Sequence, residues 1–241
     1  MGDSAPQPNA QNLRNILVGL SRFEQQRVAI QWAREHHCIV DLFGTFAKEH
    51  HLLLFQSGNE SENWIDPTTN LVYKMNTLMH VGGDLLKLFN RVELYNHLFP
   101  HIALQFVGFH VMSEDNAYPV FTQPFVDNVR FATSTEILSY MKSRGFEPQE
   151  KDGVFCDGKY LLSDIRPKNV LASEDGLAIF VIDADVILVW YRIAKSSWQL
   201  FRDENIKYKN RGSTPLFLSP FIPQNAVNVT LSHHQQRRNS R

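Results

Sequence analysis

Apolar residues recur at three- and four-residue steps between about positions 12 and 50: Ile16, Leu17, Leu20, Phe23, Val28, Ile30, Trp32 and Ala33. That period predicts helices with one buried face. Ser21, with Glu24 three residues on, predicts a capping box at the start of a second helix, and residues 38–49 read as another short helix. The pattern then changes. Residues 51–78 read as three strands joined by turns, the first at "SGNES" and the second at the Asp-Pro signature "DPTTN". Gly82-Gly83 breaks the chain before a helical face made of Leu85, Leu88, Phe89, Val92 and Leu98, with Asp84 suited to its first turn. Two strands follow around "SEDN". A helix over 134–144 is capped by Thr133 or Ser134 and closed by Gly145. Strands return through "GVFCDGKYLLSD" and "LAIFVIDADVILVW", and a helix is expected over 189–202. Trp190 and Trp198 read as core residues rather than ligand platforms.

Composition narrows the class. Of 241 residues, 43% are hydrophobic, enough to bury a core, and the net charge of −1 argues against a dedicated nucleic-acid or membrane surface. No apolar run approaches the roughly 20 residues that span a bilayer. The polar start "MGDSAPQPNAQN" lacks the apolar centre of a signal peptide. Two cysteines do not make a disulfide framework, so the reading is a reduced, cytoplasmic protein. Paired histidines at 36–37, 50–51 and 233–234 lack the further spaced ligands that a zinc site needs.

Chemistry concentrates in "LLSDIRPKNVL", residues 161–171. Pro167 excludes a helix interior and stiffens a loop holding Asp164 and Asn169 five residues apart. A turn at "SEDG" leads into a strand that ends at Asp183. Asn169 and Asp183 therefore suit a hard cation, which prefers carboxylate and amide oxygens, and this leaves Asp164 for an acceptor hydroxyl. A capped turn around Pro167 is the alternative, because Asp and Asn serve that purpose routinely.

"DIRPKN" followed by "VIDAD" resembles the catalytic loop and metal-binding segment of the protein-kinase superfamily. More of the chain, in "AIQWAREHH", "NWIDPTTNLVYKMN", "LYNHLFP", "YPVFTQPFV" and "EILSYMKSRGF", is similar to the kinase domain found in polyvalent proteins of bacterial phages and conjugative elements, over roughly residues 28–188. The resemblance implies a two-lobed α+β fold with an N-terminal helical extension and a reduced C-terminal lobe. With the composition of the two ends and the helical period before position 50, the expected division is a disordered 1–11, a helical 12–50, an N-lobe-like 51–126, a reduced C-lobe over 127–228 and a disordered basic tail over 229–241. The resemblance also implies an ATP- and Mg-dependent phosphotransferase acting on a Ser, Thr or Tyr hydroxyl. Lys74 would position phosphates and Glu93 would hold it in place. Asp164 would be the catalytic-loop acid and Arg166 a phosphate contact, while Asn169, Asp183 and Asp185 would face metal. Ser57 and Gly58 would lie over the phosphates, and Gln123 and Phe125 at the adenine edge, where Pro124 removes one backbone donor and Phe125 offers the next.

Three departures keep other readings open. Gly58 is the one glycine in the first loop, Leu162-Ser163 stand where kinases place His-Arg, and Asp183 is followed by Ala184-Asp185. A pseudokinase-like nucleotide-binding or protein-interaction module is one alternative. A small-molecule phosphotransferase of the aminoglycoside-kinase type, suggested by "IDAD", is the other.

Overall fold

Short-range polar bonds start the first long helix where the sequence signals it. In the computed structural model, which describes residues 10–57 and 61–189, α1 (Ala10–Leu17) is followed by α2 (Arg22–Glu35). The Ser21 hydroxyl accepts from the Glu24 amide at 3.3 Å, and the Ser21 amide donates to the Glu24 carboxylate at 2.8 Å. Two of the donors that a helix start leaves unpaired are thereby satisfied. The helix expected over 38–49 is shorter. Only α3 (Thr45–Glu49) is helical, because the Val40 amide donates to Phe109 O at 2.8 Å and the Phe109 amide to Cys38 O at 3.0 Å. That bridge holds residues 38–40 extended. It needs Gly108, where a Cβ would lie 2.0 Å from the Cys38 carbonyl oxygen.

Strands β1 (Leu53–Ser57), β2 (Ser61–Asp66) and β3 (Leu71–Asn76) form next, then α4 (Leu85–Leu98), β4 (Gln105–Ser113) and β5 (Asn116–Pro124). They make one antiparallel sheet in the order β1-β2-β3-β5-β4. Its two faces bury different sets, as the two-residue period of a strand requires. Ala117 and Phe121 join the core with α1, α2 and α4, whereas Val120 packs with Val40, Leu42, Trp64, Tyr73 and Met75 on the other face. A bulge between Phe106 and Gly108 resets the alternation along β4. Both Phe106 and Phe109 consequently reach the helical side.

The rest of the described chain comprises β6 (Val129–Phe131), α5 (Ser134–Ser143), β7 (Glu147–Pro148), β8 (Phe155–Cys156), β9 (Tyr160–Ser163), β10 (Val170–Ser173), β11 (Ile179–Val181) and β12 (Asp185–Leu188). Two small antiparallel sheets result, β11-β10-β6 and β12-β9-β8-β7. They share a core with the C-terminal half of α4, including Tyr95, Leu98, Leu162, Val170, Val181 and Val186. α5 is capped by Thr133, whose side chain accepts from the Glu136 amide. All these elements belong to one compact unit. No described helix is long and apolar enough to cross a membrane. Apart from Val189, the helix expected over 189–202 lies outside the described residues, as do the two tryptophans, Trp190 and Trp198.

The β2–β3 turn that precedes Lys74 is held by a buried acid. Asp66 is 1% exposed and accepts from the Thr68 amide at 2.8 Å, the Thr68 hydroxyl at 2.6 Å and the Thr69 amide at 3.2 Å. Burial alone would raise its pKa, but the bonds from Thr68 and Thr69 outweigh it and hold the carboxyl down at about 2. The folded pKa lies below the unfolded one, so these bonds stabilise fully above about pH 4. Their contribution is lost as pH falls through about 2. Asp66→Asn should cost about 1 kcal/mol at neutral pH, and the gap to the parent should close on acidification. Thermal melts of both proteins across that range check this; a gap independent of pH would remove the Asp66 carboxylate from the account.

Candidate active site

Pairing between distant segments brings the chemical residues together. β12 pairs with β9 so that Asp185 lies opposite Ser163, next to Asp164. β10 and β11 form a hairpin with Val170 opposite Val181, and the Ile182 amide donates to Asn169 O at 2.9 Å. The loop after β9 and the segment after β11 are thereby joined at Asn169 and Ile182, one residue before Asp183. Lys74, on β3, reaches the same point: its ammonium donates to Ile182 O at 2.9 Å. Burial pushes the Lys74 pKa down, and the charge of Asp183 partly offsets this.

The Asp164–Asn169 loop is closed by the Asn169 side chain. The Asn169 side-chain amide donates to both Asp164 O at 2.9 Å and Asp164 Oδ2 at 2.7 Å. Two acceptors require the NH2 end of the amide to face Asp164, so Asn169 Oδ1 is directed elsewhere. A short 3-10 turn, Pro167–Asn169, sets this spacing. Asp164 itself takes a left-handed φ of 61°, a conformation that Asp and Asn tolerate better than most residues. Two cations surround its carboxylate, Lys168 at 3.3 Å and Arg166 at 3.6 Å.

These groups line a polar cavity of about 650 Å³ that also receives Asn63, Asn76, His80, Arg91, Lys151 and Asp152. Beside it lies a more apolar slot of about 640 Å³, walled by Phe55, Val72, Phe125, Val126, Val129, Phe131 and Leu171. Lys74, Asn63, Lys168 and Ile182 line both. Around the polar cavity, three buried polar atoms have no partner among the described residues: Asn63 Oδ1, His80 Nδ1 and Arg91 Nε. Buried polar groups are rarely left so unless a ligand, ion or water completes them.

Two placements differ from the sequence expectation. Glu93 does not meet Lys74. It is 58% exposed and paired with Arg14 of α1 at 2.6 Å. The cause is helix phase: Leu88, Arg91, Val92 and Tyr95 face the cavity, and a residue two positions after Arg91 points roughly 200° away around the axis. The Phe125 amide is likewise not free for a ligand, because it donates to Asn70 O at 2.8 Å. Gln123 lines the slot, but its side-chain amide is buried, donating to Tyr95 Oη at 2.8 Å and Ile102 O at 2.7 Å. Ser57 ends β1, and Gly58 lies outside the described residues. Asp185 lines the cavity with one carboxylate oxygen 2.6 Å from Arg91.

Sequence spacing did not point to Arg91, Tyr95, Asn63 or His80. The signal for the first two was the phase of α4, with 88, 91, 92 and 95 on one stripe.

Gly153 is fitted to Arg166. It has a φ of 70°, and a Cβ there would lie 2.9 Å from Arg166 Cγ and 3.1 Å from its Nε. Gly153→Ala should cost about 1 kcal/mol through backbone strain and displace the Arg166 side chain. If Arg166 contacts the reacting phosphate, turnover should fall while nucleotide affinity stays close to the parent's. Paired affinity and turnover measurements check this; equal turnover in both proteins would detach Arg166 from the reaction.

The donor set suits magnesium, which takes one or two carboxylates and completes its shell with water and substrate phosphates. Asp183 and Asn169, which both line the cavity, are side chains that could supply the protein part. Among the described residues no group of three or more His, Cys, Asp or Glu gathers to hold a metal ion by itself.

No curated protein matches the chain. A family profile described as Serine/Threonine/Tyrosine Kinase found in polyvalent proteins matches residues 22–189. That span takes in the five-stranded sheet, α4, the Asp164–Asn169 loop and Asp183, and by this match the chain belongs to the kinase family of polyvalent proteins.

Proposed function

We propose that this protein is an ATP- and magnesium-dependent phosphotransferase that phosphorylates a Ser, Thr or Tyr hydroxyl. In this reading the five-stranded sheet with α4 is one lobe, the two small sheets with α5 form a reduced second lobe, and the helices before residue 50 are an extension. The observation that carries it is the shared wall. An apolar slot meets a polar cavity at Lys74 and Ile182, beside Asp183, which is the division of a nucleotide into base and polyphosphate.

The base would lie between Val72 and Leu171. Pro124 has no N–H and the Phe125 amide is taken, so its edge would meet the Pro124 carbonyl and the Val126 amide. Lys74 would exchange its bond to Ile182 O for phosphate oxygens. Asn169 Oδ1 and Asp183 would hold magnesium, which when bound neutralises phosphate charge and orients the transferred group. Asp164 would accept a hydrogen bond from the acceptor hydroxyl and orient it in line, and Arg166 would offset charge that develops during transfer.

One observation favours a second reading, a nucleotide-binding module without turnover: Glu93 is held by Arg14 and Lys74 has no carboxylate anchor from α4. Thermal melts with ATP, with and without magnesium, test nucleotide binding, since a ligand of the folded state must raise Tm. The proposed function requires a rise that depends on magnesium, together with ADP formation. A rise without ADP would leave the module, and no rise at all would overturn both.

A further inference from the structure

The strand segment that carries Asp183 is gripped on both sides by one face of α4. Arg91 and Tyr95 are four residues apart, so they stack on the same stripe of that helix. The Tyr95 hydroxyl donates to Val181 O at 2.7 Å. One Arg91 guanidinium nitrogen donates to Asp185 Oδ1 at 2.6 Å, with the arginine side chain 18% exposed. Val181 and Asp185 are also four residues apart, and Asp183 is midway between them.

We infer that Arg91 and Tyr95 form a two-point clamp by which α4 positions Asp183, and that Asp185 is the anchor of this clamp rather than a metal ligand. The inference rests on the proposed function only for its consequence at the metal; the clamp itself is a property of the chain without ligand. Three observations support it. The ion pair connects α4 to β12, the task that a Lys74–Glu93 pair would have performed between α4 and β3. Arg91 spends a nitrogen on Asp185 in a partly buried setting, where a charge-assisted bond is stronger than one on the surface. Finally, Asp183, the residue between the two grips, is exposed and begins no strand of its own. Its carboxylate direction is therefore set by its neighbours. Lys74 on Ile182 O and Asn169 O on the Ile182 amide hold the same segment from the opposite side.

The test uses the full chain and two readouts. Hydrogen exchange of the backbone amides over residues 182–188 is measured without nucleotide. The magnesium concentration needed for half of the ATP-dependent rise in Tm is measured separately. The variants are Arg91→Ala, Tyr95→Phe, Asp185→Asn, the Arg91→Ala/Asp185→Asn pair and the swap Arg91→Asp/Asp185→Arg, with Tm recorded to establish folding. The clamp predicts that Arg91→Ala and Asp185→Asn each speed exchange by about tenfold and raise the magnesium requirement to a similar extent. The double variant should add nothing further, and the swap should recover part of both. Tyr95→Phe keeps the ring and loses only the hydroxyl, and it should speed exchange without altering the fold.

Parent-like exchange in both Arg91→Ala and Asp185→Asn would overturn the inference. So would a raised magnesium requirement in Asp185→Asn alone, which would make Asp185 a ligand. If the parent shows no magnesium-dependent response to ATP, the functional reading falls while exchange still decides the clamp. Should Arg91→Ala fail to fold, Tyr95→Phe and the swap decide it by exchange alone.

Discussion

Asp164→Asn should bind ATP with parent-like affinity and lose turnover by about 10²–10⁴-fold, the range over which a positioned acid–base group contributes. The substitution separates chemistry from folding for reasons specific to this loop. Asparagine is nearly the same size and can keep the left-handed φ of 61° found at position 164. Its side-chain oxygen can still accept from the Asn169 amide, which in the parent bonds Asp164 Oδ2 at 2.7 Å. In the proposed reaction the negative charge that would face the acceptor hydroxyl is lost, and with it an interaction that matters most in the transition state. Asp164→Ala is a poorer test because alanine opposes the backbone conformation and abandons the Asn169 bond. A loss of ATP affinity in Asp164→Asn, with turnover per bound ATP unchanged, would contradict this assignment.

Asp183→Asn should raise the magnesium requirement for ATP binding by more than about tenfold, since an amide is a weaker ligand than a carboxylate for a hard cation. The sign of a control makes the prediction sharper. Without magnesium, removing a negative charge from the phosphate end of the cavity should leave ATP binding unchanged or slightly tighter. A carboxylate that served only structure would weaken binding in both conditions. One effect opposes the gain: the Asp183 charge supports the protonated state of half-buried Lys74, so the mutant ammonium loses its proton at lower pH than the parent's. The comparison is therefore made at two pH values, the lower of which favours the charged ammonium in both proteins. Titrating magnesium at fixed ATP, and ATP in chelator, provides both arms.

The local signals in the sequence were strong where the physics is local. The Ser21–Glu24 capping box, the Asp66 turn and the apolar stripe of α4 each depend on residues within a few positions, and each forms as the pattern indicates. The spacing in "DIRPKN" likewise predicted one loop, and Asp164 and Asn169 do meet there. Helix phase relative to a distant strand was less legible. Glu93 has the right chemistry on the right helix, but the four cavity-facing positions of α4 exclude it, and Arg14 from α1 takes its charge. Nor does the sequence show which backbone amides are already spent. Phe125 reads as available from the sequence, but Asn70, just before the neighbouring strand β3, takes its N–H. The bridge from residues 38–40 to Phe109 overrode helix periodicity for the same reason: a long-range pairing outweighed a local preference.

The most direct measurement of the central claim is ADP formation and covalent phosphate transfer, followed by mass spectrometry after incubation with ATP, for the parent and Asp164→Asn with and without magnesium. The account predicts ADP and phosphorylated hydroxyls from the parent only when magnesium is present. Asp164→Asn should show little of either, though ATP and magnesium raise its Tm as they do the parent's. Magnesium-dependent ATP binding by a parent that forms no ADP, or equal ADP formation by both proteins, would contradict it.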